Sequence, residues 1–261
     1  MDDSPKDPQD PQDRRAADRQ QQQELQMGGM FTWRGRFGPM DLDLSEHTFS
    51  PSTVSVLMAD ALEVEAGDTV IDAGCGSGIL SIIAAKLGAS RVVGIDIARD
   101  TVAVASSNAA KYGVGDVTEF YQGDLFEPLP EDVEADVVIG DVSGIPDELA
   151  VESGWFPGRN GGGPRGSELP IRMLEGVRRI LRPGGRVFLP TGTLQDENAI
   201  VSNARELLDR VTKLVERRIP IPNALAESQA AMDLVKRKVI ELTPRGSRFT
   251  WTARVWVGAR P

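Results

Sequence analysis

Three glycines and a series of carboxylates stand where they could hold a ligand. Gly74, Gly76 and Gly78 follow the apolar run Thr69–Ala73 in the segment VIDAGCGSG. Glycines at a turn from strand to helix let a ligand approach the backbone closely. Their spacing, G-x-G-x-G, differs from the G-x-G-x-x-G of dinucleotide-binding loops, and no Gly-Lys-Ser/Thr follows as a P-loop requires.

Acidic residues end the apolar runs that follow. Asp96 ends VVGID about 20 residues after the glycines, a position suited to accept hydrogen bonds from both hydroxyls of a ribose. Asp124 in YQGDLF could accept a hydrogen bond from an adenine amino group, and Asp72 and Asp141 end two further runs. Four acids on successive strand ends, with no basic residue to clamp phosphate, indicate an unphosphorylated adenosine ligand of positive charge. S-adenosylmethionine meets both requirements.

The elements that must position these residues alternate between strand and helix. Such alternation predicts an α/β fold with a largely parallel sheet flanked by helices, and a terminal strand pair predicts an antiparallel addition at one edge. The predicted strands are 69–73, 91–96, 117–122, 135–141, 186–190, 216–221 and 249–257, and the predicted helices are 54–62, 79–87, 98–112, 170–181 and 197–214.

Composition excludes several classes of protein. One cysteine and one histidine in 261 residues leave no disulfide framework and no Cys/His metal site, so no metal is expected. A net charge of −10 weighs against nucleic-acid binding, and the triplet Lys236-Arg237-Lys238 is interpreted as a solvated face. No apolar stretch is long enough for a membrane span, and the N-terminus lacks the apolar region of a secretory signal, which favours the cytoplasm.

From about Phe49 to the C-terminus, the sequence resembles the class I S-adenosylmethionine-dependent methyltransferases. The segment DAGCGSGILSIIAAKLGASRVVGID resembles the ribosomal-protein lysine methyltransferases and, nearly as well, the protein arginine methyltransferases. The resemblance implies a Rossmann-like sheet of seven strands and S-adenosylmethionine as cofactor. The resemblance implies that Asp72, Gly74, Gly76, Gly78, Asp96, Asp124 and Leu125 bind the cofactor, and Cys75, Ile97 and Asp141 are further candidate cofactor-binding residues.

The region from Asp136 to Asn198 resembles the release-factor glutamine methyltransferases. Ile145-Pro146, Gly162-Gly163, Gly166 and Gln195 fall in register with that family's frame. Its Asn-Pro-Pro-Tyr motif is replaced here by Asp141-Val142-Ser143-Gly144. A carboxylate in place of a neutral amide suits a protonated amine, guanidinium or imidazole, or a base for a hydroxyl or acidic carbon. Asp141 could alternatively contact only the amino group of the cofactor.

The remaining candidates lie around this acceptor motif. Asp141, Ser143 and His47 are the candidate catalytic residues. The long glycine-rich loop 151–169 could close over a substrate as a lid, since loops of this length are usually functional or disordered. The candidate substrate-binding residues are the aromatics of this loop and of the N-terminal lead-in, Phe31, Trp33, Phe49, Trp155 and Phe156.

The sequence therefore predicts a methyltransferase with a disordered polar tail (1–27), a lead-in with a substrate-side helix (28–62) and a catalytic domain (63–261). The diverged motif favours a small, specialised-metabolite acceptor methylated at nitrogen, oxygen or carbon. Two alternatives remain open at this point. One is a protein side-chain N-methyltransferase acting on Gln, Lys or Arg, and the other is a non-catalytic S-adenosylmethionine-binding module.

Overall fold

The fold is a twisted sheet between two layers of helices, preceded by a small hairpin. The computed structural model describes residues 29–156, 158 and 161–261, so the tail predicted over residues 1–27 lies outside the described residues. The strands are β1 (Met30–Trp33), β2 (Met40–Asp43), β3 (Thr69–Ala73), β4 (Arg91–Asp96), β5 (Thr118–Gln122), β6 (Ala135–Ile139), β7 (Leu181–Gly192), β8 (Arg210–Ile221), β9 (Thr243–Arg245) and β10 (Arg248–Ala259).

The strand order of the main sheet brings two loops together at its centre. The order is β5-β4-β3-β6-β7-β10-β8, with β9 also paired to β10. Strands β3 to β7 run parallel, whereas β10 is antiparallel to both of its long neighbours. The chain leaves β3 towards one edge and returns to β6 on its other side. Ligands of open α/β sheets bind at such a switch point, outside the carboxyl ends of the strands. The predicted parallel sheet with an antiparallel addition at one edge is confirmed.

Alternate residues of the central strands pack into two separate apolar clusters, one on each face of the sheet. Val70, Val92 and Val137 belong to one apolar cluster, and their neighbours Ile71 and Val93 belong to the other. This follows from the two-residue period of a strand, whose successive side chains point to opposite faces. The helices that cover the faces are α1 (Thr53–Ala61), α2 (Ile79–Leu87), α3 (Arg99–Lys111), α4 (Asp147–Ser153), α5 (Glu168–Ile180), α6 (Glu197–Leu207), α7 (Asn223–Ala226) and α8 (Gln229–Lys236).

The lead-in is a β-hairpin that packs on the domain. Strands β1 and β2 pair antiparallel, and Trp33 lies only 1% exposed in the first core cluster. The Trp33 indole Nε1 donates to the carbonyl oxygen of Arg36 at 3.0 Å, which satisfies its polar atom. Trp33 as a substrate-binding residue is therefore wrong, because its side chain is already buried by the hairpin and α1.

In the C-terminal third of the chain, the helices and strands differ most from those predicted from the sequence. The helix predicted over 197–214 ends at Leu207, and strand β8 already begins at Arg210. Between β8 and β9, helices α7 and α8 form a cap, for which the sequence reading offered no element. This cap shares a third apolar cluster with Ile145 and Leu149, so it covers the loop that follows β6.

Among residues 29–156, 158 and 161–261, no helix is long and apolar enough to cross a bilayer.

Candidate active site

The glycine loop connects β3 to α2 in a conformation that requires glycine. Gly74, Gly76 and Gly78 all have positive φ, of 76°, 51° and 80°. The backbone N–H groups of Gly74 and Cys75 donate to the carbonyl oxygen of Ile95 at 2.8 and 3.0 Å, which fastens the loop to β4. The predicted strand-to-helix position of this loop is present in the structure, and its backbone is fixed from the neighbouring strand.

Asp96 reaches across from the end of β4 to the same loop. Its Oδ2 accepts from the backbone N–H of Gly76 at 3.1 Å, and its Oδ1 accepts from the backbone N–H of Ala98 at 3.0 Å. Burial raises the pKa of Asp96, and the backbone hydrogen bonds oppose that rise. The next side chain, Ile97, is 70% exposed and adds an apolar surface beside the carboxylate. A carboxylate with an adjoining apolar side chain can accept from ribose hydroxyls and pack against a base.

Asp72 is a fully buried carboxylate beneath the loop. Its Oδ2 accepts from the Ser81 hydroxyl at 2.6 Å, whereas its Oδ1 has no hydrogen-bond partner among the described residues. The pKa of Asp72 is raised to about 7, mainly by burial and in part by the charges of Asp141 and Asp96, while the Ser81 hydrogen bond opposes the rise. Three carboxylates that repel one another around a buried oxygen fit a cationic ligand such as S-adenosylmethionine.

Cys75 lies within the loop but offers no reactive thiolate. The side chain is 5% exposed, and burial raises the pKa of its thiol well above the ordinary value. A neutral buried thiol behaves as a small apolar group. Its proposed part in cofactor binding therefore rests on its backbone and shape.

Asp124 and Leu125 lie after β5, where the sequence predicts the adenine. The Arg172 guanidinium from α5 donates to Asp124 Oδ1 at 2.8 Å, so the carboxylate carries an ion pair that spacing alone could not predict. Leu125 has a φ of 51°, an uncommon conformation for a residue with a Cβ. The two residues stay candidates for the adenine pocket.

Gly78 offers a test of the loop geometry. A Cβ at Gly78 would lie 3.1 Å from the Cβ of Ala105 on α3, at a φ of 80°. We expect Gly78→Ala to lower the free energy of unfolding by about 1–3 kcal/mol, because backbone strain adds to crowding. Gly67→Ala is the control, since Gly67 also has a positive φ but open space around its Cβ position. Urea unfolding that shows equal losses for both variants would contradict the crowding argument.

Asp141 follows β6 and faces the first helix. Its carboxylate Oδ2 accepts from the Ser55 hydroxyl at 3.2 Å, and burial raises the pKa of Asp141 to about 6 despite that hydrogen bond. A Cβ at Gly74 would lie 3.2 Å from the Asp141 carbonyl oxygen. The acceptor motif and the glycine loop are therefore in direct backbone proximity. Ser55 was missed by the sequence reading, since 86 residues separate it from Asp141.

The acceptor motif rests on the glycine-rich segment 161–166. The N–H of Gly162 donates to the carbonyl oxygen of Ile145 at 2.7 Å, and the N–H of Asp147 donates to the carbonyl oxygen of Gly163 at 3.0 Å. A Cβ at Gly162 would lie 2.6 Å from the carbonyl oxygen of Ser143. This described part of the predicted lid is thus a fixed support for the motif, while residues 157, 159 and 160 lie outside the described set.

Two of the candidate aromatics meet across the site. The rings of Phe49 and Phe156 stack with centroids 4.9 Å apart and planes inclined by 19°. Trp155 packs half-buried against the third apolar cluster, and Phe31 packs half-buried on the first. The Phe49–Phe156 pair joins the lead-in to the loop after α4, which keeps both as candidate substrate contacts.

His47 lies on the surface beside α3. Its Nδ1 is 2.8 Å from Asp100 Oδ2, and the two side chains are 58% and 44% exposed. The hydrogen bond and charge of Asp100 raise the pKa of the imidazole. The structure gives His47 an anionic partner on α3, and its catalytic role stays a prediction.

This pair predicts a titration shift. We expect the imidazole pKa of His47 to lie above 6.5 and to fall in Asp100→Asn, because the neutral amide no longer favours the protonated ring. Since His47 is the single histidine, its proton NMR signals report the titration directly. An unchanged pKa in Asp100→Asn would show that the pair does not form in solution.

A family model matches the part of the chain that carries the predicted cofactor-binding residues. Residues 50–143 match the family described as "Ribosomal protein L11 methyltransferase". This segment contains the glycine loop and all four acids, and it ends two residues after Asp141. The remainder of the acceptor side lies beyond the match.

Curated relatives with the same description match a similar length of this chain. A "Ribosomal protein L11 methyltransferase" of Aeromonas hydrophila is 48% identical over 93 residues, which cover 35% of this chain and 30% of that protein. The protein of the same name from Escherichia coli is 41% identical over 105 residues, 40% of this chain and 34% of that protein. The chain thus matches about a third of the length of these relatives.

Solved structures match the fold over more of the chain. A 16S rRNA methyltransferase of T. thermophilus, solved with AdoMet and guanosine, has a TM-score of 0.57 at 15% identity and covers 90% of this chain and 51% of that chain. A precorrin 8w decarboxylase of Methanobacterium thermoautotrophicum has a TM-score of 0.53 at 18% identity and covers 83% of this chain and 96% of that chain. At these identities the likeness shows the fold alone.

The comparisons overturn one expectation and confirm others. The preference for a small-molecule acceptor is contradicted, since the curated relatives carry the name of a protein acceptor, and the expected link to specialised metabolism is not supported. The loop geometry, the acid set and the matched segment agree on the cofactor. Residues 50–143 are thus similar to the ribosomal protein L11 methyltransferases, the fold is shared with a solved methyltransferase, and the glycine loop with its acids fits S-adenosylmethionine.

Proposed function

We propose that this chain methylates a side-chain amine of a protein. The observation that carries the proposal is Asp141, a half-buried carboxylate beside the glycine loop whose pKa is raised to about 6. An amine must be neutral to act as a nucleophile, and a carboxylate deprotonated above pH 6 can hold the ammonium form and take up its proton. The names of the curated relatives support a protein acceptor.

The residues around Asp141 define its part in the reaction. S-adenosylmethionine supplies an electrophilic methyl group on a sulfonium. Ser55 fixes the carboxylate from α1, and the segment 161–166 fixes the backbone of the motif. Methyl transfer mainly requires the acceptor atom to be held in line with the bond that breaks, so this rigidity is the larger contribution of the protein. Asp141 adds the proton acceptor.

An amine is favoured over the amide of glutamine. The Asn-Pro-Pro-Tyr motif of the glutamine methyltransferases is absent, and an anion stands at its first position. A neutral amide gains little from an adjacent carboxylate, whereas a lysine ammonium gains a charge-assisted hydrogen bond. Lysine is therefore the proposed acceptor, and arginine is second because its guanidinium does not lose its proton at neutral pH.

Labelling experiments test this function. The purified chain is incubated with S-adenosylmethionine carrying a labelled methyl group, together with either a bacterial ribosomal-protein fraction or a metabolite fraction. We expect label on lysine in the protein fraction, located by peptide mass spectrometry, and none with Asp96→Ala. Label confined to metabolites would refute the proposal. Donor binding without any turnover would instead support a non-catalytic binding module.

A further inference from the structure

Gln195 presents a buried amide without a partner at the acceptor side. It follows the end of β7, and its side chain is 9% exposed. Its Nε2 has no hydrogen-bond partner among the described residues. Buried polar atoms are nearly always paired, because leaving a donor unpaired costs its lost hydration. An unpaired amide beside a candidate active site therefore points to a missing ligand.

The amide lies directly against the acceptor motif. A Cβ at Gly144 would be 2.7 Å from the Gln195 Oε1 and 3.6 Å from its Nε2. Glycine at this position thus leaves room for the amide three residues after Asp141. The departure from the glutamine-methyltransferase motif at Gly144 has a physical reason here, since any larger side chain would displace Gln195.

Main-chain hydrogen bonds fix the backbone that carries Gln195. The N–H of Gln195 donates to the carbonyl oxygen of Gly192, and the N–H of Asp196 donates to the carbonyl oxygen of Arg165. The adjacent Leu194 and Ile145 belong to the third apolar cluster. A donor held in apolar surroundings forms a stronger hydrogen bond than one in water, so its orientation is suited to recognition.

We infer that Gln195 is a substrate-binding residue, whose Nε2 donates a hydrogen bond to a peptide carbonyl oxygen of the acceptor protein. The inference rests on the proposed protein substrate. An N–H donor cannot pair with an ammonium and requires a hydrogen-bond acceptor, of which the peptide carbonyl oxygen is the commonest in a polypeptide. Asp141 and Gln195 then bind different parts of the acceptor protein. The carboxylate binds the side-chain amine, and the amide donates to a main-chain carbonyl oxygen near it.

Gln195→Leu tests this assignment with purified ribosomal protein L11 as the probe. Loss of a neutral hydrogen bond predicts a rise in the KM for the acceptor of about 5- to 30-fold, with kcat less affected. The dissociation constant of S-adenosylmethionine should stay within about twofold, because the inferred contact is to the acceptor. The melting temperature should be no lower than that of the parent, because leucine removes a buried unpaired amide. Gln195→Glu should also raise the KM, since it replaces the donor by an acceptor.

A matched control and the failing outcomes complete the test. Asn203 on α6 also carries a buried amide atom without a partner among the described residues, but it lies outside the acceptor motif. Asn203→Leu should leave the KM unchanged. An unaltered KM in Gln195→Leu, a lowered melting temperature, or an equal loss of cofactor affinity would each overturn the inference. Failure of the parent to methylate any polypeptide refutes the proposed function instead, while the melting temperature still tests whether the amide is structural.

Discussion

Replacing Asp96 by alanine should weaken the binding of S-adenosylmethionine by roughly 100-fold or more. The carboxylate is placed to accept from two ribose hydroxyls, and hydrogen bonds to a charged group contribute about 1.5–3 kcal/mol each. It also accepts from the backbone N–H groups of Gly76 and Ala98, so its removal releases the glycine loop. Isothermal titration calorimetry with S-adenosylmethionine measures the change in its dissociation constant.

Asp116 supplies the control for this change. It is exposed two residues before β5, and Asp116→Ala removes the same charge away from the site. We expect its donor affinity to equal that of the parent. If Asp96→Ala bound the donor within threefold of the parent, the assignment of Asp96 to the ribose would be wrong.

Replacing Asp141 by asparagine should lower turnover by about 100-fold or more while donor affinity changes only a few-fold. Asparagine keeps the size and the hydrogen bond with Ser55 but cannot take up a proton. Single-turnover methylation of the identified acceptor separates this chemical effect from binding. Asp132→Asn, which neutralises an exposed carboxylate in the turn before β6, is the comparison variant. Turnover at the parental level in Asp141→Asn would remove the carboxylate from the mechanism.

Titration of the Asp141 carboxylate should also determine how kcat/KM falls at acidic pH. A base works only when it is deprotonated, and the pKa of Asp141 in the free protein is about 6. The ratio kcat/KM should therefore rise with pH below about pH 6 and level off above it, since this ratio reports the free enzyme. In Asp141→Asn that limb should disappear. A limb that persists unchanged would assign it to another group.

The cofactor-binding residues could be predicted because each lies in a short sequence motif next to the end of a strand. Glycines at the turn after β3 and an acid at the end of β4 need only the strand boundaries to be placed, and a parallel sheet brings those ends together. The glycine loop, Asp96 and Asp72 are accordingly found side by side. The Arg172 ion pair with Asp124 was not predicted, because it joins residues 48 positions apart.

The acceptor side was less predictable because its contacts are long-range. Ser55 reaches Asp141, and the cap of α7 and α8 covers Ile145, without any sequence pattern that links them. Strand β8 was partly assigned to a helix, since an edge strand with exposed charges lacks the alternation of a half-buried strand. Trp33 was assigned to the substrate although a hairpin buries it. The acceptor class was also predicted wrongly, since a changed motif shows divergence but does not name a new partner.

The topological switch point between β3 and β6 separates the part of the chain that carries the cofactor-binding residues from the part that forms most of the acceptor side. The residues assigned to cofactor binding, from Asp72 to Asp141, come from one continuous stretch, and the match to the family model ends at residue 143. The chain after that point builds the cap, the glycine-rich support and Gln195. An evolving gene could therefore exchange the second half for a different recognition module without rebuilding the first. The loop after β6 is then a natural crossover point for chimeric enzymes that keep one methyl donor and acquire new targets.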